Sequence, residues 1–400
     1  MPGPTLNFLC ISTYFKGVDF LKSCKEEGNA VYLLTLKKLD KQDWPWEYID
    51  DVFYVEKWND SDVRKGIAYK FRSIQFDRFV ALDDFDVERV AALREHFRMP
   101  GMGSTTARHF RDKLAMRFKA RDEGINVPHF TALFNDSDIN NFTNSVNPPW
   151  LLKPRSEASA AGIKKLHNSE DLWQKVHELG DERDNFLIEK FAPGNVYHVD
   201  GLQIDGEVIF SRVSKYLDTP FDVAHGGGVF RSASCEVGTE PEQGLTKMND
   251  RVMKAFGMKY GASHTEFIES KETGELFFLE TSSRVGGANL AEMVAFASGV
   301  NLWKEWARIE TAMLKKTAYK LPNVVNKYAG IVVSLSRFEH PDTSGFNDPE
   351  IVWRMNKPWH IGLIVVAENS ERVLELLDAY TQRIAQNFHA SSPAPDKLIG

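Results

Sequence analysis

The stretch GASHTEFIE (261–269), a turn at 270–274 and ELFFLETSSRVGG (275–287) decide how this chain is read. Strand alternation puts Phe267, Phe277, Leu279 and Thr265 on one face and His264, Glu266, Glu280 and Ser282 on the other, so the apolar face is predicted to pack inward. If the pairing keeps the aromatic residues together, Glu266 stands opposite Glu280 with roughly 5 Å between Cβ atoms. Facing carboxylates repel each other. A divalent cation between them turns repulsion into ligation, and hard oxygen donors on rigid strands suit Mg²⁺ or Mn²⁺. A register slip of one residue would separate the acids. Taken alone, the pair also fits a solvated hairpin face. Arg284 and Gly286-Gly287 then lead into the helical pattern NLAEMVAFAS, so a cation and a helix N-terminus follow the acids closely. Metal, arginine and helix end together describe a site for phosphate.

A length of 400 residues allows two or three domains with sizeable cores, and 42% hydrophobic with 26% charged residues is ordinary for a soluble globular protein. The net charge of -7 argues against general nucleic-acid binding, which shows as a basic surplus. Cys10, Cys24 and Cys235 offer no CxxC pair or zinc spacing, which favours a reduced intracellular protein. With no signal-peptide pattern and no run of 18 apolar residues, the expectation is a cytoplasmic protein without a membrane anchor.

Working outward from the hairpin, the first 104 residues alternate strands and helices and predict a small, open parallel sheet covered on both faces. Asp83 and Asp84 end one of its strands, where ligand contacts or helix caps are found; capping is the favoured reading. The breakers in MPGMGST close this unit, and ARHFRDKLAMRFKARDE (107–123) reads as one helix carrying Lys113, which by itself is one basic residue of a solvated face. From 128 to 194, strand, helix, strand, hairpin, helix and strand form a small α/β lobe. In it Lys153 precedes a loop of small and polar residues, Arg155 to Gly162, able to lie over phosphates or to be a mobile surface hairpin. The strand FLIEKF ends the lobe at a Pro-Gly turn that suits a hinge. AHGGG (224–228) reads as a flexible or ligand-hugging loop, with His225 in a pocket or merely in the loop. No G-x-S-x-G elbow accompanies it, which excludes an esterase. Strands near 328–336, 350–355 and 360–368 and a long helix make a module from about 327, and 391–400 is expected to be disordered.

There is no Walker A sequence and no complete G-x-G-x-x-G. The order of features instead resembles the ATP-grasp superfamily over nearly the whole chain: a pre-domain, a lysine helix, a small lobe with a second lysine before a flexible loop, a hinge glutamate, then paired acids and an arginine. The resemblance implies an α/β ATP-grasp fold with an N-terminal Rossmann-like pre-domain (1–104), a connecting helix (105–127), a small ATP lobe (128–194) and a large mixed lobe (195–390). It implies ATP phosphate binding by Lys113 and Lys153, with Ser159 in the phosphate loop. Glu189, Lys190 and Phe191 fall at the adenine hinge, Glu266 and Glu280 on Mg²⁺, and Arg284 on phosphate and the reacting acyl group. Where the family carries a ribose-binding glutamate this chain has Val196, leaving Asn195, His198 or Asp200 as replacements. Ser282 stands where the family has a metal-binding asparagine.

The RVGG segment and the C-terminal module look most similar to the amino-acid ligase and biotin-carboxylase-like branches. The implied activity is an ATP-dependent carboxylate–amine ligase working through an acyl phosphate, with Lys113, Lys153 and Arg284 catalytic. Its substrates would be a small carboxylate and an amine, contacted by His225, Arg284 and Gly287. The alternatives are a biotin-carboxylase-like or purine-pathway carboxylating enzyme, and an ATP-binding regulatory protein without turnover. The resemblance allows a homodimer, while net charge and hydropathy predict no nucleic-acid or membrane partner.

Overall fold

A computed structural model describes residues 5–158 and 160–391. Ser159 of the phosphate loop and the tail from 392 lie outside the described residues. The first unit contains β1 (Asn7–Ser12), α1 (Val18–Glu26), β2 (Ala30–Leu36), β3 (Asp51–Val55), α2 (Asp60–Lys70), β4 (Arg78–Ala81) and α3 (Val87–Phe97). Its strands lie parallel in the order β3-β2-β1-β4. Because the side chains of a strand alternate, Leu9 and Ile11 join Val63, Ile67 and Val90 on one face. Phe8 and Cys10 join Phe20 and Leu21 of α1 on the other.

The expected single helix over 107–123 is two: α4 (Ser104–Arg108) and α5 (Lys113–Asp122). Asp112 breaks it, because its carboxylate accepts from Leu114 N–H at 2.9 Å and Ala115 N–H at 3.4 Å and so caps a new helix. Lys113 thus sits in the first turn of α5.

The small lobe follows as β5 (Phe130–Ala132), α6 (Asp136–Ser145), β6 (Trp150–Pro154), β7 (Lys164–Leu166), α7 (Ser169–Leu179) and β8 (Phe186–Lys190), an antiparallel sheet in the order β5-β8-β6-β7. Next come β9 (Gly194–Ile204), β10 (Glu207–Tyr216), α8 (Pro220–Gly226), β11 (Phe230–Ser234), α9 (Glu240–Phe256), β12 (Gly261–Ser270), β13 (Leu276–Ser282), α10 (Leu290–Ser298) and α11 (Leu302–Lys315). The last elements are β14 (Tyr328–Ser336), β15 (Ile351–Arg354), β16 (His360–Ala367), α12 (Ser370–Asn387) and β17 (His389–Ala390). All of these strands share one sheet, ordered β13-β12-β9-β10-β11-β14-β16-β15 with β17 on β14, so the module from about 327 extends the large sheet rather than forming its own. AHGGG is not a free loop: α8 runs through Gly226 and stops at Gly227, whose φ of 67° supplies the left-handed cap.

The hairpin pairs as anticipated at its functional end, with Glu266 opposite Glu280 and His264 opposite Ser282. Its apolar assignment needs correcting. A bulge after Glu266 makes Phe267 face Phe278, and these two pack with Phe256 and Val252 of α9. Phe277 and Leu279 consequently turn to the opposite face, beside Val196 and Ile268. Strict alternation misses this because it cannot register one inserted residue. Among the described residues, no helix is long and apolar enough to cross a membrane.

Candidate active site

A cavity of about 580 Å³ lies between the small lobe, α5 and the large sheet, a size suited to a nucleotide-sized ligand. Lys113, Lys153, Glu189, Lys190, Phe191, Glu266, Glu280, Ser282, Arg284 and Gly287 all line it. His198 and His225 do not line it.

The cations converge from separate elements. Lys113 donates to the carbonyl of Glu157 at 2.6 Å and stands 2.9 Å from Glu280 Oε2, so it ties the phosphate loop to the acidic hairpin. Arg111 donates to the carbonyl of Ser156 and lies 4.3 Å from the Phe85 ring centroid. Arg155 anchors the same loop by forking onto Asp112. Two cationic side chains on loop carbonyls, with Arg155 fixed to Asp112, give the loop an ordered base, and phosphate oxygens are the acceptors that would replace those carbonyls.

Glu189 is buried rather than presented at an open hinge. Its carboxylate takes Lys153 on one oxygen and the Arg117 Nε and Nη2 on the other, at 3.0 and 2.9 Å. Burial works against its charge, but Arg117 and Lys153 overcome that and hold its carboxyl below the usual range. Arg117, only 1% exposed, also donates to the Leu279 carbonyl and so locks α5 to the hairpin. Sequence reasoning overlooked Arg117, although its spacing of four from Lys113 on one helix signals a shared face. Lys190 turns its ammonium to the carbonyls of Asn147 and Pro148, at 2.8 and 3.1 Å, while Phe191 carries the Lys165 ammonium 3.7 Å from its ring centroid.

Beneath the acidic pair runs a polar layer of the large sheet. Asp200 bonds His198 Nδ1 at 2.7 Å and His264 Nδ1 at 2.9 Å. The other His198 nitrogen meets Ser232 Oγ at 2.8 Å. His198 is therefore fully buried with both nitrogens engaged, which removes it from the cavity wall and from ribose binding. The ligand atoms of His198, Asp200 and His264 lie within 4.8 Å of one another, but hydrogen bonds account for the cluster. A Cβ on Gly286 would fall 2.7 Å from Asp200 Oδ1, so the glycine lets the backbone close over this layer. Asn195 bonds Glu269, on the sheet face opposite the cavity-lining Val196.

Glu266 Oε1 accepts from the Tyr216 hydroxyl at 2.8 Å and lies 3.6 Å from His264 Nε2. One oxygen is thereby occupied and Oε2 is left for a ligand in the cavity. With Glu280 and the Ser282 hydroxyl this is an all-oxygen set beside which an ammonium already stands, and it fits Mg²⁺.

Arg284 donates to Asp84 Oδ2 at 2.7 Å and to the Val285 carbonyl at 2.8 Å. Asp84 is thus no helix cap; the capping role falls to Asp83, which accepts from Phe85 N–H at 3.0 Å. Despite full burial, Arg284 and Arg111 hold the Asp84 carboxyl well below the usual range. Asp84 Oδ1 and Arg284 Nε have no hydrogen-bond partner among the described residues. The first turn of α10 starts three residues after Gly287, and its leading N–H, that of Leu290, is already taken by the Gly287 carbonyl at 3.0 Å. His225 bonds the Ile163 carbonyl at 3.0 Å and fastens α8 to the small lobe instead of entering the cavity.

Residues 146–292 match the ATP-grasp domain, so the chain carries an ATP-grasp domain within an ATP-grasp fold. An L-arginine-specific L-amino acid ligase of Bacillus subtilis is 25% identical over 324 residues, 79% of this chain and 76% of that protein. The crystal structure of an L-amino acid ligase from Bacillus licheniformis superposes with a TM-score of 0.77 at 17% identity, covering 97% of this chain and 98% of that one. The biotin carboxylase domain of Hydrogenobacter thermophilus 2-oxoglutarate carboxylase, solved with MgADP and bicarbonate, gives 0.71 at 14% identity, covering 97% and 91%.

Proposed function

We propose that the protein is an ATP-dependent carboxylate–amine ligase that joins an amino acid, or a similar small carboxylate, to an amine. The observation that carries this reading is the meeting in one wall of the Glu266–Glu280 pair and the Asp84–Arg284 pair. The first suits metal-bound phosphates and the second a substrate carboxylate. Bound Mg²⁺, or Mn²⁺ on the same oxygens, would neutralise phosphate charge during transfer.

In this reading a carboxylate oxygen attacks the γ-phosphorus, the bond to the β–γ bridging oxygen breaks, and ADP leaves. The amine nitrogen then attacks the acyl carbon, the bond to phosphate breaks, and the amine releases its proton. Lys113 and Lys153 hold phosphate oxygens, and Arg284 neutralises the acyl oxygen in both steps. Asp84 fixes the Arg284 fork, and its free oxygen is the acceptor a substrate ammonium would meet. The loop at 155–162 excludes water that would hydrolyse the acyl phosphate. The three free thiols fit a cytoplasmic setting.

The test is a mass-spectrometric screen of amino-acid pairs with ATP and Mg²⁺. The expected product is lighter by one water than the pair, with equal ADP and phosphate. ADP formed only with bicarbonate would favour carboxylation instead, and ATP binding without ADP from any pool would leave a regulatory protein.

A further inference from the structure

A second cavity, about 390 Å³, lies where β4, α3 and α11 meet the segment after α9, and it shares no lining residue with the first. Its wall holds Arg78, Arg94 and Glu310 together with Met102, Met258 and Tyr260. Arg78 donates from one terminal nitrogen to the Pro100 carbonyl at 3.0 Å and holds the other 2.5 Å from Glu310 Oε2 as an ion pair, while Arg78 Nε and Glu310 Oε2 make no hydrogen bond among the described residues. Glu310 is held on its other oxygen by Trp306 Nε1 at 3.0 Å. Arg94 bonds carbonyl oxygens: Phe79 O takes its Nε and Nη2 at 3.0 and 2.7 Å, and Met102 O takes Nη1 at 3.3 Å.

Those three bonds use three of the five N–H donors of Arg94 and none of its charge. The cavity wall inside its rim therefore holds two guanidinium groups against one carboxylate, an excess of one positive charge. Lys259, the remaining charged residue of the wall, is exposed at the rim. Arg94 is partly buried and has no carboxylate partner of its own among the described residues, and desolvation, with Arg78 adding repulsion, pushes it down to about 9. A dianion such as phosphate would overfill an excess of one, whereas a carboxylate matches both the charge and the fork of a guanidinium. Met102 and Met258 offer an apolar floor beside it.

We propose that this cavity binds a small organic monoanion, its carboxylate taken by Arg94 and Arg78 and its apolar body lying against Met102 and Met258. The site is separate from the nucleotide cavity and does not depend on the ligase reading.

Propionate titrated calorimetrically into the full chain at constant chloride tests it without any turnover. Saturable binding is expected, with Arg94→Gln weakening it about tenfold or more, the loss of a charge-assisted bond, and Arg284→Ala changing it less than about twofold because that residue lies elsewhere. Glu310→Gln raises the excess charge to two, so inorganic phosphate should bind that variant and not the parent. No saturable binding, equal affinity in the parent and Arg94→Gln, or loss in Arg284→Ala alone would overturn the proposal. Should Arg94→Gln fail to fold, phosphate binding unchanged by Glu310→Gln would overturn it equally.

Discussion

Asp84 and Arg284, 200 positions apart in the chain, form a buried ion pair at 2.7 Å that joins the end of β4 to the turn following β13. It ties the N-terminal unit to the wall of the cavity beside the acidic hairpin. If Asp84 fixes the arginine fork, Asp84→Asn should lower ADP formation about 10- to 100-fold, the worth of a charged hydrogen bond, with ATP affinity unchanged. Steady-state ADP release alongside nucleotide titration checks both halves.

Removing only one partner leaves the other charge buried. Arg284→Ala is therefore expected to lose about 3–5 kcal/mol of stability as well as activity. Asp84→Asn combined with Arg284→Met should recover much of that stability but none of the activity. Urea denaturation of the two variants gives the comparison, and equal stability would refute the coupling.

Glu189 sits between Arg117 and Lys153. Glu189→Gln strands two cations, so a loss on the order of 3 kcal/mol is expected in urea denaturation. Arg117→Met should destabilise the protein comparably by releasing α5 from the hairpin. An unchanged denaturation midpoint in both would remove the triad from the fold's supports.

Tyr216 occupies one oxygen of Glu266. Tyr216→Phe should free that oxygen and loosen the carboxylate, raising the Mg²⁺ concentration needed for half-maximal ADP formation about tenfold or more, the range expected for one hydrogen bond to an ionised carboxylate. Direct Mn²⁺ binding measured by electron paramagnetic resonance reports the same change without turnover.

His264 is pushed up to about 10 from an ordinary 6.5, because Asp200 and then Glu266 outweigh the burial that opposes its charge. Between those values the folded chain binds more protons than the unfolded one. The stability it contributes is complete below about pH 6.5 and is lost as pH rises through about 10. Thermal unfolding from pH 7 to 10 should show that decline, and Asp200→Asn should flatten it.

Much of this was legible in the sequence because short-range physics decides it. Period-two strands with period-3.6 helices gave the parallel unit, and in the large sheet the Asp-Gly pair at 205–206 marks the β9–β10 hairpin, where its φ values are 52° and 85°. The facing of Glu266 and Glu280 followed from alternation between two rigid strands. Other features depend on what the chain meets in space. Asp84 looked like a cap because its partner lies in another lobe. His198 looked available because strand position does not reveal that Asp200 and Ser232 occupy both nitrogens. Phe277 and Leu279 changed faces through one bulge. Asp112 split a helix that composition made continuous, since its value as a cap exceeded the helical preference around it.

Helix α11 carries a consequence for any dissection of the molecule. It follows the hairpin by about twenty residues, yet it packs on α1, and Trp306 and Ile309 share a core with Phe20, Phe8 and Cys10. The N-terminal unit is thus assembled from two separate lengths of polypeptide, and cutting at residue 104 would sever it from its own cover. A chimera exchanging that unit between ligases must transplant 302–315 along with 5–104, or expose apolar surface on both fragments and precipitate.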